Sequence, residues 1–292
     1  MSKLFKTIAK LIAGIATLAV VFWLYLALFA REPVFGPEQD VELGRQVVQS
    51  IEESGDEGPI LSREEYPEAY RHMDRLVASL VQSPDIQYRD VFKYDEVRII
   101  HNDRVLNAFC SPGGFIYVYT GLIHYLDAED HLAGVLGHEI AHAERRHSSL
   151  RMQKQYGSDR LFDFTVLTTP ISLRSAWALS MLTDLKNLDY SRDQEAEADR
   201  DSVHYLSSTD FACDATAGFF EKLTANADGA EIPTFLSDHP SSESRIRDIQ
   251  KEAEKLGCST ELGDQSNWQS LQAALPPYEP PPVESAMAPA AD

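Results

Sequence analysis

The sequence predicts an α+β protein: a mainly helical domain with a small antiparallel sheet, preceded by one N-terminal transmembrane helix. Three observations predict it. Apolar residues recur at helical spacing through segments near 38–83, 132–147, 216–226 and 241–256. Between residues 90 and 120 the period shortens to that of strands. Leu11–Ala30 then runs twenty residues without a charge.

As a helix that last stretch spans about 30 Å, the thickness of a bilayer core. Lys3, Lys6 and Lys10 precede it and the flank beyond Arg31 turns acidic, so residues 1–10 are expected to stay cytoplasmic and the rest to lie across the membrane. A cleaved signal peptide is the alternative, although its apolar region usually runs only about 7–15 residues. Either way the remainder is exported. Of the 26 basic residues, 23 lie beyond residue 30 with all 46 acids, a net charge of −23. So acidic a surface argues against nucleic acid and against basic-patch binding to anionic lipid.

Within 38–83, Val41, Leu43, Val47, Val48 and Ile51 mark one helix and Tyr66–Val81 a second, with Ser54–Pro59 between them. Val97–Ile100, Val105–Phe109 and Phe115–Thr120 are short, β-branched and aromatic, and turns at Asn102-Asp103 and Ser111–Gly114 separate them. Leu161–Leu182 is apolar but interrupted by Asp163, Pro170 and Arg174, which suits two short buried helices or a flap better than a membrane crossing. Thr216–Asn226 and Ser241–Leu256 close the domain, taken as 31–270, and the Pro/Ala-rich residues 271–292 read as a disordered tail. Cys213 and Cys258 could bridge in an oxidising compartment, leaving Cys110 free.

The chemistry concentrates in Leu132–His147, read as one helix starting near Asp127 or Asp130, with Leu132, Val135, Leu136 and Ile140 on its buried face and Gly137 and Ala141 keeping it slim. It contains His138-Glu139-Ile140-Ala141-His142. Residues four apart on a helix are neighbours, so His138 and His142 can both reach one metal ion. Neutral imidazoles suit zinc; a third protein ligand leaves a position for water, and Glu139 stands where a carboxylate can take its proton. The spacing that would supply a third histidine is absent, since positions 145 and 148 are Arg145 and Ser148. His147, five residues past His142, is expected about 140° around the helix and facing away. After Glu144 the next glutamate is Glu195, one helical turn before Asp199. One of the two can bind the metal while the other accepts a hydrogen bond from a ligand histidine. Arg192 could pair with a nearby carboxylate or hold substrate backbone.

Four blocks carry a family resemblance: Asn107–Gly121, the helix just described, Ser191–Asp199, and His239-Pro240 ahead of Arg245-Ile246. In this order they resemble the zinc metallopeptidases that include the HtpX-type membrane proteases, the CAAX prenyl proteases and their periplasmic and mitochondrial quality-control relatives. The resemblance implies a zincin-like metallopeptidase domain binding one zinc ion through His138, His142 and Glu195. It implies Glu139 as general base, Asp199 orienting a ligand, and His239 either steadying the oxyanion or occupying the open zinc position at rest. It also implies that Phe115, Ile116, Tyr117 and Val118 form an exposed edge on which an extended substrate adds as a strand. The expected substrates are misfolded or misassembled envelope polypeptides, at the periplasmic face of a bacterial inner membrane. The competing expectation is a non-catalytic holdase or assembly factor using the same cleft.

Overall fold

The computed structural model describes residues 36–156, 190–225 and 243–279, with isolated positions 14, 17, 18, 20, 235 and 239. The expected anchor Leu11–Ala30 lies outside the described residues except at Gly14, Thr17, Leu18 and Val20, which are helical and exposed. Among the described residues no helix is long and apolar enough to cross a membrane. The helical pair or flap expected at Leu161–Leu182 and the tail beyond residue 279 also lie outside them.

The two N-terminal helices form where their apolar spacing predicts. Helix α1, Pro37–Ser54, has proline at its first position, acids Glu38 and Asp40 in its first turn, and Gly55 in the left-handed region at its end. Helix α2, Pro67–Val81, buries Tyr70, Met73, Leu76, Val77 and Leu80. Between them the chain crosses Ile60–Leu61, which pairs with the first strand.

The sheet comprises β1 (Val97–Ile100), β2 (Ala108–Ser111) and β3 (Phe115–Tyr119) in the order β1-β3-β2. It is mixed, not antiparallel as expected: β1 runs parallel to β3, with Val97 opposite Ile116, and β2 antiparallel, with Phe109 opposite Tyr117. The connection 101–107 steps past β3 before the β2–β3 hairpin folds back into the gap, so β3 returns alongside β1. Gly113 and Gly114 make that hairpin with φ of 78° and 88°. A Cβ on Gly113 would also stand 2.4 Å from Cα of Val41, so α1 sits directly on the turn. The stretch expected as an exposed edge, Phe115–Val118, is therefore the central strand, buried throughout and paired on both sides.

Short helix α3, Thr120–Tyr125, leads to α4, Glu129–Glu144, which carries the metal-binding pattern. Helix α4 starts at Glu129, between the expected Asp127 and Asp130, and Asp130 fastens that end. Its carboxylate accepts from Ala212 N (2.8 Å), Gly263 N (3.0 Å) and Gln265 Nε2 (2.8 Å). Nearly every residue of α4 is buried, because β2, α6 and α7 enclose it. The close approach falls at Gly134, where a Cβ would lie 2.5 Å from Thr216 N; at Gly137 the nearest atom, Ser202 Cβ, would be at 3.5 Å, an ordinary contact.

The expected single helix to His147 is broken. Helix α4 ends at Glu144, and Arg146 takes φ 56°, in the left-handed region that disfavours side chains by about 1–2 kcal/mol. A buried ion pair holds it there: Arg146 Nη2 meets Asp40 Oδ1 at 3.0 Å and Nε meets Oδ2. Helix α5, His147–Tyr156, starts beyond this break.

Helix α6, Arg192–Leu206, is capped by Ser191 and Gln194, each side chain bonding the other's backbone N–H. Helices α7 (Ala215–Ala225) and α8 (Glu243–Leu256) pack on it, and the Cys213–Cys258 disulfide joins the start of α7 to the end of α8, while Cys110 is free and buried. A further helix, α9 (Ser266–Ala273), corrects the expected start of the tail. Leu271 and Leu275 enter the core, Gln272 Nε2 donates to Ile123 O at 3.0 Å, and Glu279 N donates to Asp103 at 2.8 Å.

Candidate metal centre

Helical spacing alone sets the first two donors. His138 and His142 lie one turn apart on α4, 0% and 1% exposed, with their Nε2 atoms 3.1 Å apart. Helix α6 crosses α4 and delivers Glu195, whose Oε2 and Oε1 stand 3.5 Å from His138 Nε2 and His142 Nε2. From the segment before α8, His239 places Nδ1 3.2 Å from His138 Nε2 and 2.9 Å from Glu195 Oε1. Phe235 supports this histidine, stacking on its ring at 4.6 Å and accepting its backbone N–H at 2.8 Å. One atom from each of His138, His142, Glu195 and His239 falls within 4.8 Å of all the others.

The far sides of the rings are occupied. His138 Nδ1 lies 3.0 Å from Asp199 Oδ1, and His142 Nδ1 lies 2.9 Å from Nδ1 of His147. When both rings carry their hydrogen on Nδ1, the two Nε2 atoms turn lone pairs toward one another, an arrangement that a cation between them satisfies. Charge counting agrees: Glu139, Glu195 and Asp199 are buried together, and among the described residues the guanidinium that faces them is that of Arg245. The donor set of imidazole nitrogens and one carboxylate fits a divalent transition ion such as zinc.

Burial disfavours a charged His138, yet hydrogen bonds to Asp199 and Glu195 push its pKa up to about 9. Burial holds His142 neutral, well below the ordinary histidine value. Burial likewise opposes ionisation of Glu195 and Asp199, but the three histidines overcome it at Glu195, and Arg245 with His138 at Asp199, so both carboxylates stay below their usual range.

Glu139 lies beside the cluster, its Oε1 3.4 Å from Nε2 of His239, and its carboxylate accepts the backbone N–H of Cys110 on β2. Burial raises its pKa, against the pull of His239 and His138.

The structure thus brings His138, Glu139, His142, Glu195, Asp199 and His239 together. Arg192 is exposed in the first turn of α6. The guanidinium that meets the site carboxylates belongs to Arg245, 2.7 Å from Glu195 Oε2 through Nη1 and 2.7 Å from each oxygen of Asp199 through Nε and Nη2. Sequence reasoning placed Arg245 in the same block as His239, six residues on, but gave it no role. Nor does His147 face away: the break at Arg146 swings it back onto His142. Tyr190, its ring centroid 3.9 Å from that of His142 and 5.2 Å from that of His239, was also missed.

The model of Peptidase family M48 matches residues 67–253. The chain is 33% identical over 184 residues to the mitochondrial metalloendopeptidase OMA1 of Schizosaccharomyces pombe, covering 61% of this chain and 53% of that protein. It is 30% identical over 167 residues to the beta-barrel assembly-enhancing protease of Escherichia coli K12, covering 54% and 34%, and 32% identical over 148 residues to the metalloprotease YcaL of the same strain, covering 49% and 57%. The matched part spans about half or less of the length of most of these relatives. Family model and site geometry coincide on the same helices: the chain belongs to peptidase family M48.

Proposed function

We propose that this chain is a zinc-dependent metalloendopeptidase that hydrolyses peptide bonds in unfolded or misassembled polypeptides. The observation that carries the reading is the convergence of His138, His142, Glu195 and His239 within 4.8 Å, with buried Glu139 alongside. His138, His142 and Glu195 are the residues that would hold zinc, and Asp199, clamped by Arg245, orients His138. Zinc, when bound, supplies an electrophile that polarises a carbonyl and acidifies water.

The chain's own groups do the rest. Glu139 takes a proton from the attacking water and returns it to the leaving amine, and burial makes it the better proton acceptor. The N–H of Cys110 holds its carboxylate in place. His239, between Glu139 and the ligands, either steadies the developing oxyanion or fills the cluster at rest. Asn107 accepts from Tyr119 N, so by alternation Ala108 and Cys110 face away from β3. Their N–H groups are taken, by Asn107 Oδ1 at 2.9 Å and by Glu139, and an extended substrate would meet this outer edge of β2 at its carbonyls alone. The relatives named for mitochondrial and beta-barrel-assembly roles support a membrane-associated, quality-control setting, with Leu11–Ala30 as anchor and the catalytic part on the periplasmic side of a bacterial inner membrane.

The test is Glu139→Gln. We expect about one zinc per chain by mass spectrometry in both proteins, and a loss of at least about 10²-fold in cleavage of an unfolded polypeptide by the variant. Cleavage at the wild-type rate overturns the assignment of Glu139 as base. If that variant instead retains full function in cells, the chain acts as a binder of extended polypeptides.

A further inference from the structure

The outer nitrogen of His142 meets a second imidazole where that of His138 meets a carboxylate. His142 Nδ1 lies 2.9 Å from His147 Nδ1, and His147 Nε2 lies 3.2 Å from Oε2 of Glu197. Counting hydrogens along this line leaves one arrangement. Glu197, as a carboxylate, only accepts, so His147 carries its hydrogen on Nε2. His147 Nδ1 then bears a lone pair and accepts from Nδ1–H of His142. The hydrogen of His142 is thereby committed to Nδ1, and its Nε2 turns a lone pair to the cluster.

We propose that His147 and Glu197 are positioning residues of the metal centre: a histidine–carboxylate relay that sets the tautomer of His142 and stops its ring from rotating, so that Nε2 is presented to a divalent ion. The inference rests on the reading of His142 as a metal ligand. The fold supports it independently of that chemistry. His147 is 3% exposed although it opens a new helix, and it reaches His142 because Arg146 adopts φ 56°. The Tyr190 ring closes the relay from the side, 3.9 Å from His142 and 6.2 Å from His147, with its hydroxyl 2.8 Å from Ser148 Oγ. The acids of Glu195-Ala-Glu-Ala-Asp199 thus divide among three tasks: Glu195 in the cluster, Asp199 behind His138, and Glu197 behind His142 through His147.

The experiment measures the zinc dissociation constant of the full chain by competition with a chromophoric chelator, with thermal unfolding recorded for every variant. His147→Phe keeps a ring but no acceptor, and is expected to weaken zinc binding about 10–100-fold. His147→Asn, whose side-chain oxygen can accept from His142, is expected to recover most of that loss. Glu197→Ala, at a half-exposed position that folding tolerates, is expected to weaken zinc several-fold. Wild-type affinity in Glu197→Ala or in folded His147→Phe overturns the proposal, as does an Asn variant no better than Phe. Should His147→Phe fail to fold, the Glu197→Ala result decides alone. A wild-type chain that binds no zinc removes the metal reading itself, and is told apart because the parent protein then fails and not the variants.

Discussion

The two histidines of α4 are turned toward the same point from opposite kinds of surroundings. Behind His138 stands Asp199, 5% exposed and gripped through both oxygens by Arg245, which itself lies 4.4 Å over the Phe220 ring and reaches Glu195. Behind His142 stands His147, a neutral ring, and only after it a carboxylate, Glu197, whose side chain is 44% exposed. In the proposed metal centre both sides perform one task, the aiming of an Nε2 atom. The Asp199 side uses buried charge, where breaking one partner leaves the other stranded in low dielectric. The Glu197 side uses a charge that water already screens, where little stability is at stake. Stability and ligand orientation are therefore fused on one side of the site and separable on the other.

Arg245→Ala tests that contrast most severely. It strands Asp199 beside Glu195, and we expect a loss of about 3–5 kcal/mol in denaturant unfolding of chelator-treated protein. Glu197→Ala in the same assay is expected within about 0.5 kcal/mol of wild type. Equal losses would erase the distinction. Arg245→Lys should recover only part, because an ammonium cannot reproduce the paired bonds to Asp199.

Asp199→Asn comes next. It should weaken zinc about 10–100-fold, more than Glu197→Ala, since the carboxylate meets His138 directly. The reverse ranking, read by chelator competition, would make the exposed side the dominant one.

Acid sharpens the comparison further. Asp199 is held below its ordinary 3.8 and Glu195 below its ordinary 4.5. A depressed carboxylate contributes stability that is present above its unfolded pKa and is lost as pH falls through the lower folded value. Unfolding free energy of chelator-treated protein should therefore fall steeply as pH drops below 3.8, and Arg245→Ala should flatten that fall. An unchanged slope in the variant would mean that Arg245 is not what holds Asp199 down.

The smallest expected effect concerns Glu139, which both sides of the site flank. Its pKa is raised by burial, and protonation removes the base, so the acid limb of kcat/KM should lie above 4.5. A limb at or below that value would mean that the working carboxylate is better solvated than the structure has it.

Much of the site could be read because its logic is local. The pair His138 and His142, and the pair Glu195 and Asp199, are each fixed by one turn of helix, and helical spacing is visible in any sequence. His239 lies in a segment with no such periodicity, and only a family resemblance singled it out. Arg245 and His147 were missed for a different reason: their partners are distant in sequence or reached through a break in the helix. Extrapolating α4 straight through Arg146 turned His147 the wrong way, because a non-glycine residue in the left-handed region is sustained by Asp40, 106 positions away. The sheet failed likewise. Three short apolar strands carry the same local signal whether β3 is edge or centre, and only the path of residues 101–107 past β3 decides it.

The Cys213–Cys258 disulfide spans 45 positions, and the covalent ring it closes contains Phe235, His239 and Arg245 but neither α4 nor Glu195. A cross-link over a loop of that length removes about 4 kcal/mol of freedom from the unfolded chain in a chain-entropy treatment. Reduction would return that freedom to the unfolded chain and lower the stability of the folded one by a similar amount. The cross-link thus supports the fold of the segment that carries His239 and Arg245, while His138, His142 and Glu195 stand on helices that the ring never included.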